Sequence, residues 1–489
     1  MTHSTERQAP GAAHAFGWGL LNTFLSKLGT LGIGIALARL LGPESFGTYA
    51  VALVALTAVL SFNELGVSLA VVRWPSEPAR IVPTVNTISV LGSTIFCSGA
   101  VAAAPFFAAA MGDPEATDVV RVLILSVFIS GVVASPAALL QRDFREKKRL
   151  VIDQVNVWLG AILSLILALA GMGAMALAVG RVAGSLISGI MFLAASPLPY
   201  RFGLDRTHLL PLLRFGLPLA GTSIIFFAVA YADQLTAGAV LGATGLAFYV
   251  LAFNLANFPI SMMSQPLRRV APAAFSALQH DRPAMDSALI STTGLLAAAT
   301  LPTVMVVAAV SEPLVGLVYG PAWLPAAAAL SWLVVAASTK LYTDLAYDFL
   351  VVLGRSGTLF MIQTCSLVIL VPVLAGGALL FGLPGLAGAQ ALVSGCVLLP
   401  LYLRQLSQAG VVLRGTAAAL WPPVAASLGA GGLAYGLSRS VSEPAIVLGL
   451  AGATAAGVSV GLLYLRRGQL KSLSLVRRQG SAPVQEWSA

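Results

Sequence analysis

Apolar runs long enough to cross a bilayer follow one another along nearly the whole 489-residue chain, separated by short polar or glycine-containing breaks. Crossing hydrocarbon takes roughly 20 mainly apolar residues per helix. Within it, every backbone amide must find a partner inside the segment or on a neighbouring strand. The runs are continuously apolar rather than alternating, so they predict helices and not the strands of a membrane barrel. Composition agrees: 58% of residues are hydrophobic, 10% are charged, and the mean hydropathy is +0.89. A soluble domain carries about 25% charged residues, because its surface faces water. The expected fold class is therefore an all-α membrane protein.

Reading the runs against their breakers predicts 14 transmembrane helices, near 18–40, 46–72, 81–110, 119–140, 151–171, 175–196, 214–240, 245–265, 287–312, 327–352, 359–381, 385–406, 417–438 and 445–465. The apolar stretch after the polar opening is too long for a signal-peptide core and is read as a retained first helix. With the N-terminus in the cytoplasm, 22 of the 28 Lys and Arg residues fall on the cytoplasmic side. Only Arg121 and Arg439 fall on the other, and Lys27, Arg39, Arg181 and Lys340 lie within spans. That asymmetry obeys the positive-inside rule. One helix more or fewer would have reversed the later loops and destroyed it. Both termini are accordingly expected in the cytoplasm of a bacterial cell, with the protein multi-pass in its inner membrane.

The net charge of +9 does not point to nucleic acid, because the cations sit at loop ends. Even the RDFREKKR run at 142–149 is held against the membrane by its flanking helices, where anionic lipid is the natural contact. Cys97, Cys365 and Cys396 lie inside apolar runs with no metal-ligand spacing and are expected to be small buried helix residues. There is no P-loop or nucleophilic triad, and the connections on the outer side, such as 41–45, 241–244, 313–326 and 382–384, are too short for a catalytic loop. No enzyme activity, catalytic residue, metal or cofactor is expected.

A repeat suggests how the helices are grouped. LGPESFGTYAVA at 41–52 returns as LGATGLAFYVLA at 241–252, each copy at an outer turn between two helices. Six helices separate the copies, so the halves would be parallel repeats about an axis normal to the membrane. The expected organisation is a cytoplasmic tail at 1–17, a six-helix N-lobe at 18–200, a six-helix C-lobe at 201–410, two further helices at 411–466 and a basic tail at 467–489.

The motif ALARLLGPESFGTYAVA at 36–52, with NELGVSLAVVR at 63–73, LLRFGLPLAG at 212–221, LGATGLAFYVLAFNLANFP at 241–259, VYGPAW at 318–323 and GLPGLAGAQAL at 382–392, resembles the polysaccharide exporter and lipid-linked oligosaccharide flippase branch of the multidrug/oligosaccharidyl-lipid/polysaccharide (MOP) exporter superfamily. The resemblance implies a V-shaped, MATE-like pair of pseudo-symmetric lobes and a substrate made of lipid-linked sugars, often on polyprenyl pyrophosphate. Membrane lipids and polysaccharide polymerase or assembly proteins are the partners it implies.

Such a headgroup carries charge, and an unpaired charge in hydrocarbon costs several kcal/mol or more. Cations within spans would lower that barrier. Lys27, near mid-depth in the first helix, Arg39, Arg181 and Lys340 are the expected substrate-binding cations, with snorkelling or pairing to an acid as the plainer alternative. Arg73, Arg268 and Arg269 mark the cytoplasmic mouths of equivalent hairpins and are read as a portal, or simply as orientation charges. Lys340, Asp344 and Asp348 recur every four residues and so share a helix face. Together with Asp233 and Glu64, these acids are expected to serve ion coupling, by H+ or Na+, unless a Lys340–Asp344 bridge or a helix–helix hydrogen bond accounts for them. Two other functions remain open at this point: cation-coupled export of small drugs or metabolites, and a non-transporting scaffold for polysaccharide assembly.

Overall fold

The computed structural model describes residues 12–63, 70–72, 77–143, 145–278 and 281–468. Three long helices in it are each broken by one glycine. In α1 (Ala12–Asn63) the break is at Gly42, with φ 71° and ψ 175°. In α6 (Arg206–Ala277) it is at Gly242, with φ 72° and ψ −177°. These two glycines occupy the second position of the repeated motif, and their backbone angles are nearly identical. An L side chain would strain this left-handed conformation, whereas glycine adopts it freely. The repeat is thus a repeat of turn geometry, which is why so few side chains needed to match. A third break at Gly382, φ 63°, divides α10 (Ser356–Val393).

Between them lie α2 (Pro78–Ala110), α3 (Ala116–Arg142), α4 (Glu146–Leu169), α5 (Ala174–Ala195), α7 (Arg282–Ala309), α8 (Ser311–Tyr319) and α9 (Pro325–Val352). After α10, a π turn at Ser394–Leu398 runs into α11 (Leu399–Gln408), followed by α12 (Leu413–Ser440) and α13 (Pro444–Leu465). Counting each broken helix as two, α11 as the continuation of α10, and leaving out the nine-residue α8, gives the expected fourteen membrane-length segments among the described residues. Those residues contain no strand. One detail differs from expectation. The stretch 313–326, read as a plain outer connection, holds most of α8 and a 3-10 turn at Pro321–Trp323. The second span was expected to reach 72; its part at 64–69 lies outside the described residues, and Ala70–Val72 are helical.

Large apolar side chains face outward all along the helices: Phe106 is 79% exposed and Leu380 76%. In water such a surface would aggregate, but against acyl chains it is at home. Among the described residues, ten helices, counted unbroken, are long and apolar enough to cross a membrane. The protein is a multi-pass membrane protein. Lipid also explains a correction: Cys97 is buried, but Cys365 and Cys396 are exposed. A small soft apolar side chain needs no protein cover where hydrocarbon supplies it.

The chain forms two compact units. One comprises Met1–Leu41, Asn63–Val101 and Arg121–Leu219. Its core joins Ile81, Val82 and Val85 of α2 to Ala138 and Leu139 of α3 and Leu212 of α6. Within it, α4 and α5 touch at glycines: a Cβ on Gly180 would lie 2.7 Å from the Gly160 carbonyl oxygen. Small residues let helix backbones approach where lipid gives no hydrophobic drive to pack.

The other unit comprises Gly42–Phe62, Ala102–Val120 and Ala220–Ala489. Val306, Ala430, Ala434, Val447 and Ala451 knit α7, α12 and α13 together. Just past α13, the Arg466 guanidinium donates to the Ala419 carbonyl of α12. Burial there lowers its pKa from the usual arginine value.

Candidate functional site

Of the eleven residues singled out from the sequence, five lie outside the described set. Glu64 and Arg73 fall in undescribed segments, and for Lys27, Arg268 and Arg269 only the backbone is described. The other six divide between the units. Arg39 of α1 and Arg181 of α5 belong to the first, and both are exposed. Asp233, Lys340, Asp344 and Asp348 belong to the second.

Asp233 is the most enclosed of them, 4% exposed. Gly242 turns the chain back on itself, so that Tyr249 meets an aspartate sixteen residues earlier. The Tyr249 hydroxyl donates to Asp233 Oδ2 at 2.8 Å, and the Gln234 backbone N–H donates to Oδ1 at 2.8 Å. Tyr249 is fully buried and stacks on Phe253, with ring centroids 6.3 Å apart. Each carboxylate oxygen therefore holds one donor. A carboxylate has about four acceptor sites, so capacity remains for a proton or cation.

On α9, Lys340 Nζ lies 3.4 Å from Asp344 Oδ1, and the side chains are 68% and 24% exposed. The four-residue spacing makes this pair, as helix geometry requires. Asp348, one turn on, is half-buried. One buried polar group, Tyr402, lies near this face. Tyr402 of α11, 1% exposed, accepts a hydrogen bond from Gln363 Nε2 of α10 at 3.4 Å and lies within electrostatic range of Asp344 and Tyr347. On the opposite face of α9, the Tyr342 hydroxyl is 3.5 Å from that of Thr300 of α7. These neutral partners escaped a sequence reading that looked for charge. Their one visible signal was a Tyr or Gln inside an otherwise apolar run. Among the described residues there is no cluster of His, Cys, Asp and Glu able to hold a metal ion.

The helical bundle and the charged side chains inside its spans define a multi-pass membrane protein of the all-α class. Within it, the chain belongs to the polysaccharide biosynthesis protein family, whose model matches residues 36–328. Two relatives share part of its sequence. The succinoglycan biosynthesis transport protein ExoT of Rhizobium meliloti (strain 1021) is 27% identical over 313 residues, 63% of this chain and 62% of that one. The lipopolysaccharide biosynthesis protein WzxC of Escherichia coli (strain K12) is 22% identical over 299 residues, 60% of this chain and 61% of that one. The match thus spans about three fifths of each relative's length. Two solved structures share the fold. One is the lipid II flippase MurJ in an inward closed conformation: TM-score 0.76, 12% identity, covering 92% of this chain and 98% of that one. The other is an inward-facing multidrug resistance MATE family transporter of the MOP superfamily: TM-score 0.58, 17% identity, covering 78% and 98%.

Proposed function

We propose that the chain is a flippase that moves lipid-linked oligosaccharide or polysaccharide repeat units, of the polyprenyl-pyrophosphate kind, across the bacterial inner membrane by alternating access. Family membership supports this reading, as do two relatives named for polysaccharide transport and biosynthesis and a fold shared with a lipid II flippase. The observation that carries it is Lys340, a cation at mid-length of α9 with its side chain 68% exposed. Acyl chains reject such a group, so it calls for a hydrated, anion-accepting neighbour. In this reading Lys27, Arg39, Arg181 and Lys340 accompany the pyrophosphate, while the lipid tail stays in the bilayer. Arg73, Arg268 and Arg269 gather the headgroup on the cytoplasmic side, where both termini lie. Binding alone gives no direction, so a gradient of H+ or Na+ acting on Asp233, Asp344, Asp348 and Glu64 supplies it. No bond is made or broken, and the protein is not an enzyme.

Depleting the protein in its own cells tests the proposal. Lipid-linked repeat units should accumulate on the cytoplasmic face while surface polysaccharide falls. Depletion that changes neither would sink it. A second reading, export of small cations, draws on the buried carboxylate of Asp233. Uptake of a cationic dye into inverted vesicles, driven by an ion gradient, would favour it.

A further inference from the structure

The second compact unit contains two pieces from the first part of the chain, Gly42–Phe62 and Ala102–Val120. The first is nearly all of the second half of α1, whose tip is at the Gly42 kink, and the second is the tip formed by the turn between α2 and α3; both tips lie on the side expected to face away from the cytoplasm. Their partners within that unit are specific. A Cβ on Gly47 would lie 2.5 Å from the Ala243 carbonyl oxygen and 3.1 Å from the Thr244 nitrogen, so backbone meets backbone there. A Cβ on Gly112 would lie 3.0 Å from the Gly242 Cα, and one on Gly238 would lie 2.8 Å from the Met111 sulfur. Thr48 joins the two tips by donating to Asp113 Oδ2 at 2.7 Å.

Over these contacts sits Trp323, 1% exposed, in the turn after α8. Phe46 packs on it edge-on at 5.5 Å and Phe248 edge-on at 5.8 Å, with Tyr319 at 6.2 Å. Phe46 and Phe248 lie within the two copies of the repeated motif, whereas Trp323 belongs to neither copy. One side chain therefore bridges both. Such edge-on aromatic pairs add to the stability of a contact beyond the area they bury.

We propose that α8 and the turn behind it form a clasp, with Trp323 as its hub, which holds the tips at 42–48 and 111–113 against the kink at Gly242 and must release before substrate leaves on that side. The release step rests on the flippase reading, but the clasp itself does not. In a chain with Cys97→Ala, Cys365→Ser and Cys396→Ser, the reporter Met111→Cys is shielded, since Met111 is 3% exposed. In detergent, adding Gly47→Leu or Trp323→Ala should raise its reaction rate with a polar thiol reagent at least about fivefold. An unchanged rate in both overturns the clasp.

A second arm needs no disruptive substitution. Glu44→Cys and Thr244→Cys place two exposed thiols at the rim of the contact. A short reducible bis-thiol cross-linker should stop translocation of lipid-linked oligosaccharide in proteoliposomes, with recovery on reduction and no effect on either single variant. Translocation at full rate through the cross-linked protein overturns the release step. If the uncross-linked protein translocates no sugar lipid, the flippase reading fails, and the labelling arm still decides the clasp.

Discussion

At Asp233 a structural role and a coupling role make separable demands. Asparagine can keep both contacts: its amide oxygen accepts from the Gln234 N–H, and its NH2 donates to the Tyr249 hydroxyl oxygen. Asp233→Asn should therefore keep the fold, whereas Asp233→Ala leaves a fully buried hydroxyl unpaired and should destabilise the protein by about 1–3 kcal/mol. Thermal unfolding in detergent measures both. The coupling role adds that Asp233→Asn, though stable, should transport poorly under an applied ion gradient; full gradient-driven flux in that variant would remove Asp233 from the coupling set. Lys340 gives the opposite balance. Its pair with Asp344 is largely exposed, and such pairs contribute only about 0.2–1 kcal/mol. Lys340→Ala should leave the unfolding temperature nearly unchanged yet reduce flux at least about tenfold. A large loss of stability with normal flux would make Lys340 structural only.

The helices themselves were open to a reader of sequence, because a membrane demands long apolar runs and glycine breaks them in recognisable places. Gly42 and Gly242 show this best: a weak match of four identities became a shared turn with nearly equal backbone angles. Gly42→Ala and Gly242→Ala should each cost about 1–2 kcal/mol, since each would force an alanine into the left-handed region. Unfolding measurements that found either substitution neutral would mean the kink relaxes. The contacts among elements were not legible. Trp323 looked like a residue of an outer loop, and nothing in its neighbourhood announced Phe46 or Phe248, which lie far away in the chain. Tyr402 and Gln363 were missed for the same reason: periodicity reports which face a residue occupies, not which helix faces it. Cys365 and Cys396 mislead a reader in another way. Apolar context implies burial in a soluble core, but in lipid it is equally compatible with the surface.

For the molecule as a whole, the account joins an uneven distribution of basic residues, a fold shared with a lipid II flippase and membership of the polysaccharide biosynthesis protein family. The proposed task is to carry a charged sugar headgroup through a layer that excludes charge. The most direct test is translocation in proteoliposomes holding the purified protein and a labelled polyprenyl-pyrophosphate oligosaccharide, with headgroup exposure followed on the opposite face. The account predicts translocation that requires the protein, falls at least about tenfold with Lys340→Ala, and is absent for a small cationic dye. Dye movement with no transfer of the sugar lipid would contradict it.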